Sequence, residues 1–159
     1  MKRNEISLLN QVQSVAVADI LSCNAMTARY GLRLNEEDAK ALVQTRTQAL
    51  YNSGRVEFAG SALPKIIIAF ADSPYLADDS AMDTLHQLVE AFYEYKSETR
   101  DEVDDDELIA LMRHHFDHSC QGSVEFLRED LLASLSRSVR FGEDIFAIDN
   151  NVDDDAYDQ

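Results

Sequence analysis

The chain has 159 residues, of which 45% are hydrophobic and two are cysteines, so it can bury a core and is too poor in cysteine for a disulfide framework. A formal net charge of −16 disfavours binding to nucleic acids and to anionic membrane surfaces. The sequence contains no glycine-rich phosphate loop, no nucleophile elbow and no dinucleotide-binding fingerprint. We therefore predict a chain that uses no cofactor.

The first third of the sequence predicts two helical regions. Residues 6–30 carry apolar side chains at helical spacing, and Gly31 ends this region. Asn35 is a favoured N-cap, and the three carboxylates that follow it suit the positive end of a helix dipole. Asp38 stands where an ideal capping box has Glu or Gln. We expect this second helix to end near Gly54, because glycine adopts the left-handed conformation of a helix end at little cost.

Two short segments in the middle of the chain are ambiguous. Residues 56–58, from Val56 to Phe58, are β-prone and lie near glycines, which favours a short β fragment or a turn. Residues 66–71 are apolar on every side, so they predict a helix or a strand that is buried all round. We prefer a helix, because no other strong strand is available for pairing and Pro64 suits a first helical turn.

The rest of the sequence predicts a long helix ending at about Thr99 and then a helical hairpin. Apolar side chains recur at three- and four-residue spacing in each of these helices. The aspartates at residues 104–106 suit the N-terminus of the first hairpin helix. Gly122 suits its left-handed end, and Ser123 suits the N-cap of the second helix. A connection this short makes the two helices antiparallel neighbours.

These patterns predict an all-α, single-domain helical bundle of six or seven helices, with the isoleucine-rich helix at its centre and a short β fragment as the only alternative element. We expect the helical domain to cover residues 1–148. Residues 149–159 should form an acidic, mobile tail, because they are rich in Asp and contain no Lys or Arg. No apolar run is long enough to span a membrane or to act as a signal peptide, so we expect a cytoplasmic protein.

The predicted hairpin holds three of the four histidines and one of the two cysteines. His114 and His118 are four residues apart and share one helix face, so they could bind a transition metal with Asp117 or Cys120 as a third ligand. The alternative is that histidine suits a helix C-terminus, where a partly protonated ring interacts well with the end carbonyls. Cys120 could also act as a nucleophile beside a histidine, although no orienting group is visible. His115 is predicted to lie at the edge of the core.

The charge is distributed unevenly along the chain. Residues 1–70 contain eight Lys/Arg and six Asp/Glu, a balance of +2, whereas residues 71–159 contain six and twenty-four, a balance of −18. The acidic half predicts a protein partner with a basic surface, or self-association, and makes nucleic acid an unfavourable partner. Arg29, Arg33 and Arg46 form a candidate basic patch in the other half.

Three segments of the chain resemble a small family of bacterial proteins that carries only a domain-of-unknown-function label. These segments are ILSCNAMTARYGLRLNEEDAKALVQTR, GRVEFAGSALPKIIIAFADSPYL and DELIALMRHHFDHSCQGSVEFL. The resemblance covers nearly the whole chain except the acidic tail. It implies a bacterial origin and one compact domain, and it brings no activity, substrate or catalytic residue with it.

Because no motif marks a reaction centre, the sequence predicts a non-catalytic helical protein-interaction or regulatory domain with an acidic C-terminal half. The alternative is a metal-binding protein, or a metal-dependent enzyme, that uses His114 and His118. A mimic of nucleic acid, which would occupy a DNA-binding partner with its acidic half, is a third hypothesis.

Overall fold

The computed structural model of the chain describes residues 13–57, 61–77 and 79–141. Within these ranges the backbone forms helices joined by turns and contains no strand, so the predicted all-α class is confirmed. The prediction of a mobile tail over residues 149–159 lies outside the described residues.

The chain forms two compact units, Met1–Glu90 and Ala91–Gln159, which we call the first unit and the second unit. The predicted division into one helical domain over residues 1–148 and a tail stays a prediction. None of the described helices combines the length and the apolar character needed to cross a membrane.

The first unit begins with short helices and continues with longer ones. In chain order its described residues form α1 over residues 13–22, α2 over Asn24–Thr27, a 3₁₀ turn over Ala28–Tyr30, α3 over Glu36–Ser53 and α4 over Leu63–Phe70. Gly31 ends this helical region, as predicted, and it does so in the left-handed conformation, with a φ of 89°. The Asn24 side chain then holds the linker, because its amide donates to the Leu34 carbonyl and its Oδ1 accepts from the Leu34 N–H, both at 2.8 Å.

Helix α3 begins and ends where the sequence predicts. Asn35 Oδ1 accepts from the Asp38 N–H at 2.8 Å, and the Asp38 carboxylate accepts from the Asn35 N–H at 3.0 Å. The capping box is therefore complete even though its third helical position is aspartate. Gly54 ends the helix with a φ of 67°.

The connection after α3 is held by a side chain and not by strand pairing. The predicted β fragment is irregular at Val56 and Glu57, and Phe58 lies outside the described residues. The Glu57 carboxylate pairs with Arg46 Nε at 2.6 Å and accepts from the Ala62 N–H at 3.3 Å. Ala62 is the N-cap residue of α4 and has no side chain that could cap it, so Glu57 supplies the acceptor from outside the helix.

Helix α4 resolves the ambiguity of the isoleucine-rich segment in favour of a helix, with Pro64 in its first turn. Ile66, Ile67 and Phe70 are fully buried, whereas Ile68 is 37% exposed. Because successive residues turn by about 100° along a helix, the three buried side chains lie within one arc and Ile68 points away from it. The expectation of burial all round is therefore wrong, since α4 packs through one broad face.

Helix α5, Ala81–Glu98, contributes residues to both units. The second unit continues with α6 over Asp105–Asp117, α7 over Val124–Phe126, a π-helical segment over Leu127–Leu132 and α8 over Ala133–Phe141. The last three segments follow one another without a break. If these three segments are counted as one helix, the described residues contain six helices that are longer than a single turn. This number agrees with the predicted six or seven.

The predicted helical hairpin is confirmed, and one of its details differs. Gly122 has a φ of 85°, and the Ser123 hydroxyl accepts from the Phe126 N–H at 3.2 Å, so both predicted turn residues act as expected. Gln121 is also left-handed, with a φ of 49°. Asp104 is the N-cap residue of α6, but its side chain makes no capping hydrogen bond, contrary to expectation.

The π-helical segment shifts the apolar stripe of the second hairpin helix. Spacing in the sequence predicts one apolar stripe with Leu132 beside it, and the stripe consists of Val124, Leu127, Leu131 and Leu135. The structure buries Leu132 and leaves Leu131 half-buried. A π-helix closes its hydrogen bonds over five residues instead of four, so the next buried position after Leu127 moves along by one residue. Ordinary helical spacing therefore predicts the buried Val124, Leu127 and Leu135 correctly, but it places Leu131 on the stripe where the structure buries Leu132.

Candidate functional site

The two histidines of the predicted metal site lie together at the end of α6. The rings of His114 and His118 are stacked, with their centroids 4.5 Å apart and their planes 19° apart. His118 Nδ1 lies 2.9 Å from the His114 carbonyl oxygen, so in the tautomer with a proton on Nδ1 it donates to an end carbonyl of the helix. Nitrogen lone pairs lie in the ring planes, and two nearly parallel rings direct them side by side instead of toward one point.

The other two predicted ligands have different surroundings. The Asp117 carboxylate pairs with Arg113 Nε at 2.5 Å. Cys120 is buried, and burial raises the pKa of its thiol to about 11, so the thiol keeps its proton at neutral pH. A protonated thiol is a poor metal ligand and a poor nucleophile. In the part of the chain that the structure describes, no group of three or more His, Cys, Asp or Glu residues is arranged to hold a metal ion.

The turn after α6 uses its polar groups to end the helix. The Cys120 N–H donates to the His115 carbonyl at 2.9 Å, and the Gly122 N–H donates to the Phe116 carbonyl at 2.8 Å. Together these bonds satisfy two carbonyls at the helix end. The His115 ring is buried, with Nδ1 3.4 Å from the Ser119 hydroxyl, which agrees with its predicted place at the core edge. This region is consequently built as a helix terminus, and the metal site stays a prediction.

The second unit presents an excess of exposed carboxylates. Residues 91–141 contain twelve Asp/Glu and six Lys/Arg. Among the basic side chains that the structure describes, three form ion pairs with carboxylates of the unit. These pairs join Lys96 to Asp105, Arg113 to Asp117 and Arg128 to Glu94. The exposed acidic residues include Glu102, Asp104, Asp106, Glu125, Glu129 and Asp130.

A buried lysine organises the connection between α5 and α6. Lys96 is 7% exposed, and its Nζ donates to the Val103 carbonyl at 2.6 Å. The same ammonium lies 2.8 Å from Asp105 Oδ1 and 3.7 Å from Asp101 Oδ1. A buried ammonium needs such partners, because its desolvation is costly without them. The sequence offers a signal for this cluster, since a lysine here is followed by a run of carboxylates, but the signal does not say which carboxylate pairs with it.

The backbone around this lysine turns sharply. Arg100 and Asp101 have φ values of 54° and 60°, a left-handed conformation that is unfavourable for residues other than glycine. The contacts of Lys96 stabilise this turn, and the side chains that follow it are left in solvent. We call the exposed carboxylates of Glu102, Asp104 and Asp106 the acidic turn.

Tyr95 joins α5 to the π-helical segment within the second unit. Its hydroxyl donates to the Arg128 carbonyl, a group in the part of the helix where the regular hydrogen-bond pattern changes. The pKa of the Tyr95 hydroxyl is raised to about 12. Burial is the largest cause, and the negative charge of Glu94 is the second.

We expect Tyr95 to increase the free energy of unfolding at neutral pH, and we expect this contribution to disappear at alkaline pH. Because the pKa is about 10 in the unfolded chain and higher in the fold, the contribution is complete below about pH 10 and is lost as pH rises toward about 12. The difference in free energy of unfolding between wild type and Tyr95→Phe should therefore shrink over that interval, as measured by urea unfolding. Tyr51→Phe, at a position that is 80% exposed, is the matched control and should show no such change. A constant difference for Tyr95→Phe would oppose this assignment.

Comparison with known proteins identifies a family to which the chain is similar. Residues 19–145 match the model of a family of unknown function (DUF6323). No curated protein and no solved structure matches the chain. The family match spans most of the chain, and it confirms the resemblance to a family that carries only a domain-of-unknown-function label.

Proposed function

Since the chain belongs to DUF6323, a family of unknown function, we propose a function from its own residues: it is a non-catalytic protein-interaction domain. In this proposal the second unit docks through the acidic turn on a basic protein surface. The observation that carries the proposal is that Lys96, Arg113 and Arg128 pair within the unit while the acidic turn stays exposed. An exposed acidic surface speeds encounter with a basic partner and repels other acidic surfaces.

The chemistry at the end of α6 supports a non-catalytic role. A cysteine nucleophile needs a thiolate and an adjacent base, but the buried Cys120 thiol has a raised pKa. His118 faces a backbone carbonyl, and His115 is buried. Nucleic acid is an unfavourable partner, because the carboxylates of the acidic turn repel phosphates.

Neutralising the acidic turn tests this proposal. The variant Glu102→Gln/Asp104→Asn/Asp106→Asn removes three negative charges at nearly constant side-chain size. The full chain, immobilised, is exposed to lysate of its source organism at low and at high salt. We expect a protein that wild type retains at about 50 mM NaCl to be lost at about 300 mM, where screening is stronger, and to be retained about tenfold less by the variant.

A matched control shows whether the effect depends on where the three charges lie or only on the total charge of the chain. Asp19→Asn/Glu37→Gln/Asp83→Asn removes the same number of charges at exposed positions of the first unit and should retain the partner as wild type does. Two outcomes oppose the proposal. One is a chain that captures no protein and stays monomeric at both salt concentrations, and the other is equal retention by the variant and wild type.

One observation favours metal binding as a second candidate function. The rings of His114 and His118 are adjacent and incompletely buried, so rotation of their side chains could bring one nitrogen of each ring to a common ion. The measurement is the metal content of wild type and of His118→Ala, both purified without added metal. A content near one ion per chain that falls in the variant supports this candidate, and a content near zero in wild type removes it.

A further inference from the structure

A short segment of the first unit has the opposite charge to the rest of the chain. Residues 20–35 contain Arg29 and Arg33 and no Asp or Glu, although the net charge of the chain is −16. Both arginines are exposed, and neither forms an ion pair with a carboxylate among the described residues. Their guanidinium groups are accordingly accessible to an acidic partner.

The same segment also exposes large apolar side chains. Met26 is 50% exposed and Tyr30 is 48% exposed. The Arg29 guanidinium lies over the Tyr30 ring, 5.0 Å from its centroid, which restrains both side chains. Met, Tyr and Arg are the residue types enriched at the centres of protein interfaces. We use the name arginine–tyrosine patch for the exposed side chains of one stretch of eight residues, namely Met26, Arg29, Tyr30 and Arg33.

The backbone beneath this patch is well anchored. The paired hydrogen bonds between Asn24 and Leu34 close the segment, and the buried Thr27 hydroxyl donates to the Leu32 carbonyl at 2.8 Å. A preorganised surface loses less conformational entropy on binding. Arg46, which the sequence groups with the other two arginines, does not belong to the patch, because its side chain is only 18% exposed and pairs with Glu57.

We propose that the arginine–tyrosine patch binds the acidic turn of a second copy of this chain. The inference rests on the proposed function and names the basic surface on which the acidic turn docks. Two exposed guanidinium groups complement three exposed carboxylates, and the forked geometry of arginine suits carboxylate. The contact joins two different surfaces of the two copies.

The small size of the patch sets the strength of this association. Four side chains bury much less than the roughly 800 Å² per partner of a stable protein interface. The association should therefore be weak, concentration-dependent and sensitive to salt.

Sedimentation velocity of the full chain at about 100 µM, in low and high salt, tests the inference. Wild type should sediment as assemblies larger than a monomer at low salt and as a monomer at high salt. Arg29→Gln/Arg33→Gln alone, and the acidic-turn variant alone, should each stay monomeric. An equimolar mixture of the two should associate again, because one variant keeps the acidic turn and the other keeps the patch.

Two further variants serve as controls for charge and for folding. Lys40→Gln/Lys65→Gln removes two exposed positive charges elsewhere in the first unit and should associate as wild type does. Arg29→Lys/Arg33→Lys keeps both charges and should retain partial association. Circular dichroism shows whether each variant keeps its helices.

The outcomes separate this inference from the proposed function. A monomeric wild type at low salt, an arginine variant that associates as wild type does, or a mixture that fails to associate overturns the inference. If the lysate experiment still recovers a partner through the acidic turn, the proposed function stands and the partner is another protein. If the lysate experiment recovers no partner and wild type is also monomeric, both are overturned.

Discussion

Replacing Ile67 by alanine should lower the free energy of unfolding by about 2–5 kcal/mol, whereas the same replacement at Ile68 should lower it by less than about 1 kcal/mol. Ile67 is 0% exposed and Ile68 is 37% exposed. The two positions are neighbours in α4 and change in the same way, so the effect on helix propensity is nearly the same. The difference between the variants therefore measures burial.

Urea unfolding of the two variants, monitored by circular dichroism, provides the measurement. A helix buried all round, as the apolar run alone predicts, would make the two losses similar. A loss at Ile68 that equals or exceeds the loss at Ile67 would contradict the observed one-sided packing of α4.

Replacing Lys96 by methionine should lower the free energy of unfolding by roughly 2–4 kcal/mol. The change leaves the Asp105 carboxylate and the Val103 carbonyl without the ammonium that contacts them, and it releases the left-handed turn at Arg100 and Asp101. The expected loss is below that for a fully buried pair, because the Asp105 side chain is 34% exposed.

Lys40→Met is the matched control for this experiment. Lys40 also pairs with a carboxylate, that of Glu36 at 3.2 Å, but the two side chains are 62% and 68% exposed. Its replacement should change stability by no more than about 0.5 kcal/mol. Urea unfolding of both variants gives the comparison, and a Lys96→Met variant as stable as Lys40→Met would show that the buried ammonium does not hold the turn.

The parts of the fold that the sequence predicts well depend on neighbouring residues only. The capping box of Asn35 and Asp38, the left-handed Gly54 and the hairpin turn at Gly122 and Ser123 all satisfy backbone groups a few residues away. Such local hydrogen bonds follow from residue type and spacing, and they are confirmed.

The parts that the sequence misses depend on partners far along the chain. Glu57 supplies an acceptor to α4 because Arg46, eleven residues earlier, holds it in place. The Tyr95 hydroxyl meets the Arg128 carbonyl across 33 residues, in the region where a π-helical segment shifts the apolar stripe. No local pattern specifies these contacts. Helical periodicity alone therefore places Leu131 on the apolar stripe and Leu132 beside it, whereas the structure buries Leu132.

The candidate site also combines features that the sequence predicts with features that it misses. The excess of carboxylates in the second half is visible in the sequence, but only the structure shows which carboxylates Lys96, Arg113 and Arg128 contact. The spacing of His114 and His118 correctly places them side by side, whereas their ring orientation depends on stacking and on a carbonyl contact. Spacing predicts proximity and cannot predict the direction of a lone pair.

The most direct measurement of the proposed function is the dependence of the association constant on salt concentration, for the captured partner or for self-association. The wild-type constant should fall steadily as ionic strength increases, and the Glu102→Gln/Asp104→Asn/Asp106→Asn variant should bind more weakly with a shallower dependence. Equal dependence in the two proteins, or association that strengthens with salt, would contradict docking through the acidic turn.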